Sequence, residues 1–148
     1  MYTKYISIIF LYFFFISIAC AEDIFFSLKK NKVNVRYGPS FSSPVKFIYK
    51  KINLPIKQID KKENWRRIID AKNNGGWIHW SQLKKINSII LLEPRILFKE
   101  PSKFSKPLAK IKKGRVLIIQ KCDGIWCKIK TKNFTGWIKT DNIWGSIN

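Results

Sequence analysis

The sequence predicts an all-β protein: two small β-barrels in tandem behind an N-terminal signal helix. Three observations carry this reading. The 148-residue chain repeats itself at an offset near sixty residues. From residue 33 onward, short alternating segments are cut by turn residues at intervals of roughly eight to twelve positions, the pattern of a small barrel. Past residue 21, no stretch holds a helical period.

Residues 1–21 read as a secretion signal. Lys4 supplies the positive end, Tyr5 to Ile18 is an unbroken apolar run, and Ala19-Cys20-Ala21 offers small residues for cleavage before Glu22. The run is shorter than the ~18–20 residues that a spanning helix needs, although a retained anchor stays open. Cys20 opens a lipoprotein alternative, against which Ser17 stands where that motif asks for a Leu-like residue.

Residues 22–84 form the first predicted barrel. Ile24, Phe25, Phe26 and Leu28 can add an edge strand or lie over a core. Val33 and Val35 then alternate with Asn34 and Arg36, the period of a half-buried strand. Gly38-Pro39-Ser40 breaks that strand, and Gly38 reads as a position whose backbone a β-carbon would forbid. Strands follow over 45–50, 54–60, 65–70 and 76–80, joined by Lys61-Lys62-Glu63-Asn64 and Asn73-Asn74-Gly75.

Residues 85–94 connect the copies. Ile89-Ile90-Leu91-Leu92 is too apolar for a flexible linker, so this segment forms a strand or packs in a seam. The second barrel, 95–148, has strands over 96–98, 108–111, 115–121, 125–130 and 136–140, closed by a turn at Asp141-Asn142-Ile143. Landmarks tie the copies together. Pro101-Ser102 answers Pro39-Ser40, Pro107-Leu108 answers Pro44-Val45, and Ile118 and Gln120 answer Ile56 and Gln58. Trp126 answers Trp65, Ile129 answers Ile68, Gly136-Trp137-Ile138 answers Gly76-Trp77-Ile78, and Ile143 answers Leu83.

The series V-N-V-R-Y-G-P-S (33–40), Asn64-Trp65 and G-W-I-H-W-S-Q-L (76–83) resembles the bacterial SH3-like domain family. The first copy keeps the whole pattern. The second has lost its opening, reading R-I-L-F-K-E-P-S (95–102) instead. The resemblance implies two SH3-like barrels, and the tandem behind a secretion signal is similar to a group of small bacterial envelope proteins. It also implies that the loop beginning at Arg36, Tyr37 and Gly38 flanks a ligand groove. Tyr37 and Phe41 either line that groove or cap the barrel. Since the second copy lacks the R-Y-G-P set, groove function is expected in the first.

The net charge is +20 with a pI near 10.1. Removing residues 1–21 takes away Lys4 alone, leaving 28 basic against 9 acidic residues. Such a balance suits a polyanionic partner, while the abundance of Lys, Asn and Ile also fits simple codon bias. A secreted location disfavours nucleic acid. Peptidoglycan, another anionic envelope polymer or a periplasmic protein segment are the partners expected, in the periplasm or at the outer face of the inner membrane.

Strand alternation sorts the side chains. Trp65 shares a face with Arg67, and Ile68 points the other way. Trp77 goes with His79, Trp126 with Lys128 and Lys130, and Trp137 with Lys139, while Cys127 and Ile129 face the core. Tryptophan beside a cation suits stacking on a sugar ring or peptide, with the cation taking a carboxylate. The competing reading packs these rings under loops or between barrels. The candidate ligand-binding residues are Arg36, Tyr37, Trp65, Arg67, Trp77 and His79. Cys122 and Cys127, the only cysteines after the signal, are expected to form a hairpin disulfide, with two buried thiols as the alternative. His79 is the only histidine, so a zinc site cannot be assembled with so few ligands. A Cys–His pair is disfavoured by the Lys that replaces His79 in the other copy. A non-catalytic binding protein without metal or cofactor is therefore expected.

Overall fold

The computed structural model describes residues 23–147. The signal segment 1–21, with Cys20 and the expected cleavage before Glu22, lies outside them. Among the described residues there is no α-helix. There are fourteen strands and one 3-10 turn, Trp80–Gln82.

The first barrel comprises β1 (Phe25–Leu28), β2 (Val33–Arg36), β3 (Val45–Tyr49), β4 (Pro55–Lys62), β5 (Trp65–Ile69), β6 (Gly75–His79) and β7 (Leu83–Lys85). Its antiparallel order is β3-β2-β6-β5-β4-β1-β7. The sheet curls on itself, because Leu28, Val33, Val35, Ile56, Ile68, Ile78 and Leu83, drawn from strands across its whole width, meet in one core. β1 is not an edge strand. It lies between β4 and β7, with Phe26 opposite both Ile56 and Lys85.

The second barrel repeats the plan with β8 (Ser88–Leu91), β9 (Arg95–Phe98), β10 (Pro107–Ile111), β11 (Val116–Asp123), β12 (Trp126–Lys130), β13 (Thr135–Lys139) and β14 (Ile143–Trp144). The order is β10-β9-β13-β12-β11-β8-β14. β8 lies within the segment read as a connector. Its four residues are all buried, and Ile89 and Leu91 are core residues, which is why so apolar a run could not remain a linker.

The sequence pairing of Ile118 and Gln120 with Ile56 and Gln58 is one residue out. Each long strand carries a bulge, at Ile59 in β4 and at Gln120 in β11. Gln120 therefore stands where Ile59 does, and Leu117, buried like Ile56, is its true counterpart. Both copies carry the bulge, so it leaves their offset unchanged, and the slip came from matching the identical letters Ile and Gln one position out of register.

The Gly-Trp-Ile landmark has a packing cause. A Cβ on Gly76 would lie 2.7 Å from the Arg36 carbonyl oxygen, and one on Gly136 would lie 2.5 Å from that of Phe98. These glycines let β2 and β9 run against β6 and β13. Gly38 is different: its φ is not in the left-handed region, and an added Cβ would meet only the Ser43 hydroxyl, at 2.7 Å. Close packing in the loop, not backbone freedom, accounts for it.

The barrels join through a buried polar seam. The Asn87 amide donates to Ser27 Oγ (3.2 Å), Ser27 and Ser88 share a hydrogen bond (2.7 Å), and Ser88 Oγ donates to the Asn53 carbonyl (2.6 Å). A hydroxyl has one proton, so Ser27 is the donor to Ser88 and the chain runs in one direction. Beside it, Trp144 Nε1 donates to the Pro55 carbonyl (3.0 Å), and its ring meets Phe25 edge-on.

Candidate functional site

Alternation along β2, β6 and β5 builds two parallel rows on the outer face of the first barrel. Arg36 pairs with Trp77, and Trp77 with Arg67. Two residues further along the strands, His79 pairs with Trp65, and Asn34 falls beside His79. All four expected strand residues of β5 and β6 thus lie on one face, with Ile68 and Ile78 in the core behind them.

Each row borders a shallow concavity. The first, about 350 Å³, is lined by Lys32, Asn34, Arg36, Phe41, Trp65, His79, Ser81 and Gln82. The second, about 250 Å³, holds Arg36, Tyr37, Lys46, Arg67 and Trp77 among its walls. Arg36 borders both, and neither wall contains a carboxylate. The structure therefore brings all six expected residues to one surface, divided between two hollows.

Trp65 follows the reading that packs the tryptophans under loops. It lies on the face opposite Ile68, yet it is only 7% exposed. The loop between β2 and β3 folds Phe41 back over it, so that Phe41 meets Trp65 edge-on at 5.0 Å and His79 at 5.2 Å. Trp65 and His79 are themselves edge-to-face at 5.3 Å. Trp65 is the floor of a three-ring cluster rather than an open platform. The exposed surfaces are Phe41, at 68%, and Tyr37, at 65%.

The loop is fixed by polar contacts. Arg36 Nη1 donates to the Ser43 carbonyl (2.6 Å), and its guanidinium lies 6.0 Å from the Phe41 ring centre. Lys46 Nζ donates to the Gly75 carbonyl (2.9 Å) while lying over Tyr37 at 5.7 Å. Both cations thereby hold an aromatic ring in place and keep further N–H groups for an anion. His79 Nδ1 and Ser81 Oγ are 2.8 Å apart, which sets the imidazole against the 3-10 turn. The site offers aromatic faces, two cations and the polar ends of Asn34, Ser81 and Gln82. That set can hold a sugar or peptide with a carboxylate.

Sequence reasoning missed Lys46, which reaches the second hollow from β3, and four residues of the first. Lys32 and Asn34 continue the outward alternation of Arg36 and were available to that argument. Ser81 and Gln82 reach the site through a 3-10 turn, where a period of two gives no direction.

The second barrel carries the same face in altered form. Phe98 replaces Arg36 opposite Trp137, Lys128 replaces Arg67, and Lys139 replaces His79 opposite Trp126. Lys139 lies over Trp126 at 5.9 Å, Lys121 lies over Trp137 at 5.5 Å, and Phe98 meets Trp126 edge-on. On the hairpin that leads to this face, Cys122 and Cys127 form the expected disulfide. They face each other with Cα atoms 4.1 Å apart, across a turn whose tip is Gly124-Ile125. Among the described residues no three His, Cys, Asp or Glu side chains gather as a metal site would require.

The family model for the bacterial SH3 domain matches the chain twice, at residues 29–85 and 93–145. No curated protein matches. Among solved structures, the chain is similar to NlpC2 from Trichomonas vaginalis at 12% identity and a TM-score of 0.38, over 84% of this chain and 49% of that one. NlpC1 from the same organism gives 12% and 0.38, over 82% and 45%. An NLPC/P60 family protein from Bacillus cereus gives 13% and 0.36, over 81% and 55%. The chain thus spans about half the length of each.

Proposed function

Because the chain belongs to the bacterial SH3 domain family in both its halves, we propose that it is a non-catalytic binding protein of the bacterial cell envelope, acting in the periplasm. The first barrel takes peptidoglycan, at its stem peptide or glycan. One observation carries this reading: the Phe41–Trp65–His79 cluster, open on the Phe41 side and bordered by Lys32 and Arg36 with no carboxylate in its wall. A stem peptide has carboxylates and a glycan has flat sugar faces, and both features meet a complement here. The roles differ from residue to residue. Phe41 provides the stacking surface, Trp65 supports it, Arg36 takes the carboxylate, and Asn34, Ser81 and Gln82 meet polar groups. Tyr37, Arg67 and Trp77 extend the contact into the neighbouring hollow.

Co-sedimentation with purified sacculi across a salt series tests the proposal. Phe41→Ala is expected to lower binding about tenfold, as loss of a stacking contact worth about 1–2 kcal/mol would. It should lower the melting temperature only modestly, since the ring is mostly exposed and its loss uncovers Trp65 without opening the core. Arg36→Gln should weaken binding more at low salt than at high salt. Wild-type protein that ignores sacculi at every salt concentration would remove peptidoglycan as the ligand.

A further inference from the structure

The second barrel has an open end. A cavity of about 780 Å³ is floored by core residues including Leu97, Ile111 and Leu117, with Phe134 on its rim, 45% exposed. The end of β10 and the turn to β11 bring Lys110, Lys112, Lys113 and Arg115 to it. The end of β12 and the turn to β13 bring Lys130 and Lys132, and the first barrel adds Lys51 across the seam. No carboxylate lines the cavity, and none of these seven cations is in a salt bridge among the described residues. The sequence contains no Asp or Glu between Glu100 and Asp123.

We infer that this cation-rimmed, apolar-floored end docks the phosphate headgroups of an anionic lipid surface. Seven like charges around one opening repel one another, and a low-dielectric wall focuses their field outward, so the rim favours a dense array of anions. A hydrated polyanion would use the rim alone. An amphiphile uses both parts, with phosphates on the lysines and acyl or glycerol carbons against Phe134 and the floor. That fit of charge and apolar surface to one molecule favours lipid. The site is separate from the aromatic face of the first barrel and does not rest on what that face binds.

Flotation of the full chain with vesicles of equal parts phosphatidylglycerol and phosphatidylethanolamine, against pure phosphatidylcholine, tests this. Binding is expected only to the anionic vesicles. Lys112→Ser/Lys113→Ser/Lys132→Ser should lower partitioning on the order of a hundredfold, at roughly fivefold per lysine near an anionic surface. Lys61→Ser/Lys62→Ser/Lys72→Ser removes equal charge from exposed positions of the first barrel and should cost only a few-fold. All six lysines are solvent-exposed, so neither variant disturbs a core. At high salt the wild type should keep a residual partitioning that Phe134→Ser loses. Equal losses from the two triple variants would overturn the site in favour of bulk charge. Loss of all wild-type partitioning at high salt would overturn the lipid assignment, as would full displacement by soluble polyphosphate at high salt.

Discussion

The two barrels share a plan and a register, and they differ at the ends and faces where ligands are met. In the first, Phe41 is folded onto Trp65 and His79. Its counterpart in the second copy's loop, Phe104, is 88% exposed, with the Lys103 ammonium 5.2 Å from its ring centre. The barrel ends show the reverse. In the first barrel, Tyr49 packs against the core, and its hydroxyl donates to the Asn74 carbonyl (3.4 Å) near the Asp70 carboxylate. Asp70 Oδ1 also accepts from the amides of Lys72 (2.8 Å) and Asn74 (2.9 Å), which holds the turn over that end. In the second barrel, Ile111 stands for Tyr49 and Thr131 for Asp70. Thr131 caps only its own turn, through Phe134, and the end is left open. A common scaffold has been finished twice, once with a built face and closed end, once with an open end.

The comparison breaks first at the cores. Ile68 and Ile129 are fully buried counterparts. Ile68→Ala and Ile129→Ala should each cost about 2–5 kcal/mol by chemical denaturation. If the seam couples the barrels into one unit, a single transition will move in both variants. If each barrel stands alone, only the mutated one will.

A smaller effect belongs to the second barrel alone. The Cys122–Cys127 pair occupies the position held in the first barrel by Lys61 and Arg66, two like charges facing across the hairpin. Closing so short a loop stabilises by about 2 kcal/mol on the entropic model. Reduction should lower the second barrel's melting temperature without unfolding the first. Free thiols titrating in the native, unreduced protein would contradict the cross-link.

The smallest effect belongs to the first barrel alone. Burial, and next the charge of Asp70, push the Tyr49 phenol far above its ordinary value. Below the unfolded value near 10 both states hold the proton, and the contribution is intact. Above it the unfolded chain releases the proton while the folded chain retains it, so stability falls as pH rises. The loss should be at most about 1 kcal/mol one pH unit above 10, because a half-exposed ring is screened by water. Tyr49→Phe should abolish this step. Thermal melts across alkaline pH in the two proteins check it, with the second barrel, which contains no tyrosine, as internal reference.

What the sequence made legible follows from what a period of two can say. It separated Ile68 from Trp65 and Cys127 from Trp126, and it assigned four strand residues of the first barrel to one face. Packing under a loop was among the readings for Trp65, but its cover was not legible, because Phe41 lies on a loop whose path depends on Arg36 holding the Ser43 carbonyl. The slip at Ile118 and Gln120 came from matching identical letters, Ile and Gln, across a stretch whose true offset places Leu117 on Ile56. The open end of the second barrel depends on Ile111 replacing Tyr49, and two residues so unlike in size both read simply as strand.

The position of β1 sets an order of assembly. The first strand of the described chain pairs with β4 and with β7, so the first sheet cannot close until Lys85 is available. Its partner at the seam is later still, for the Pro55 carbonyl waits for the indole of Trp144, 89 residues away. Contacts this distant in sequence make for slow closure and leave strand edges bare meanwhile. A chain entering its compartment from the N-terminus would therefore hold β1 paired on one side only until Lys85 arrived, and the crowd of lysines would at that stage also keep one nascent copy from another.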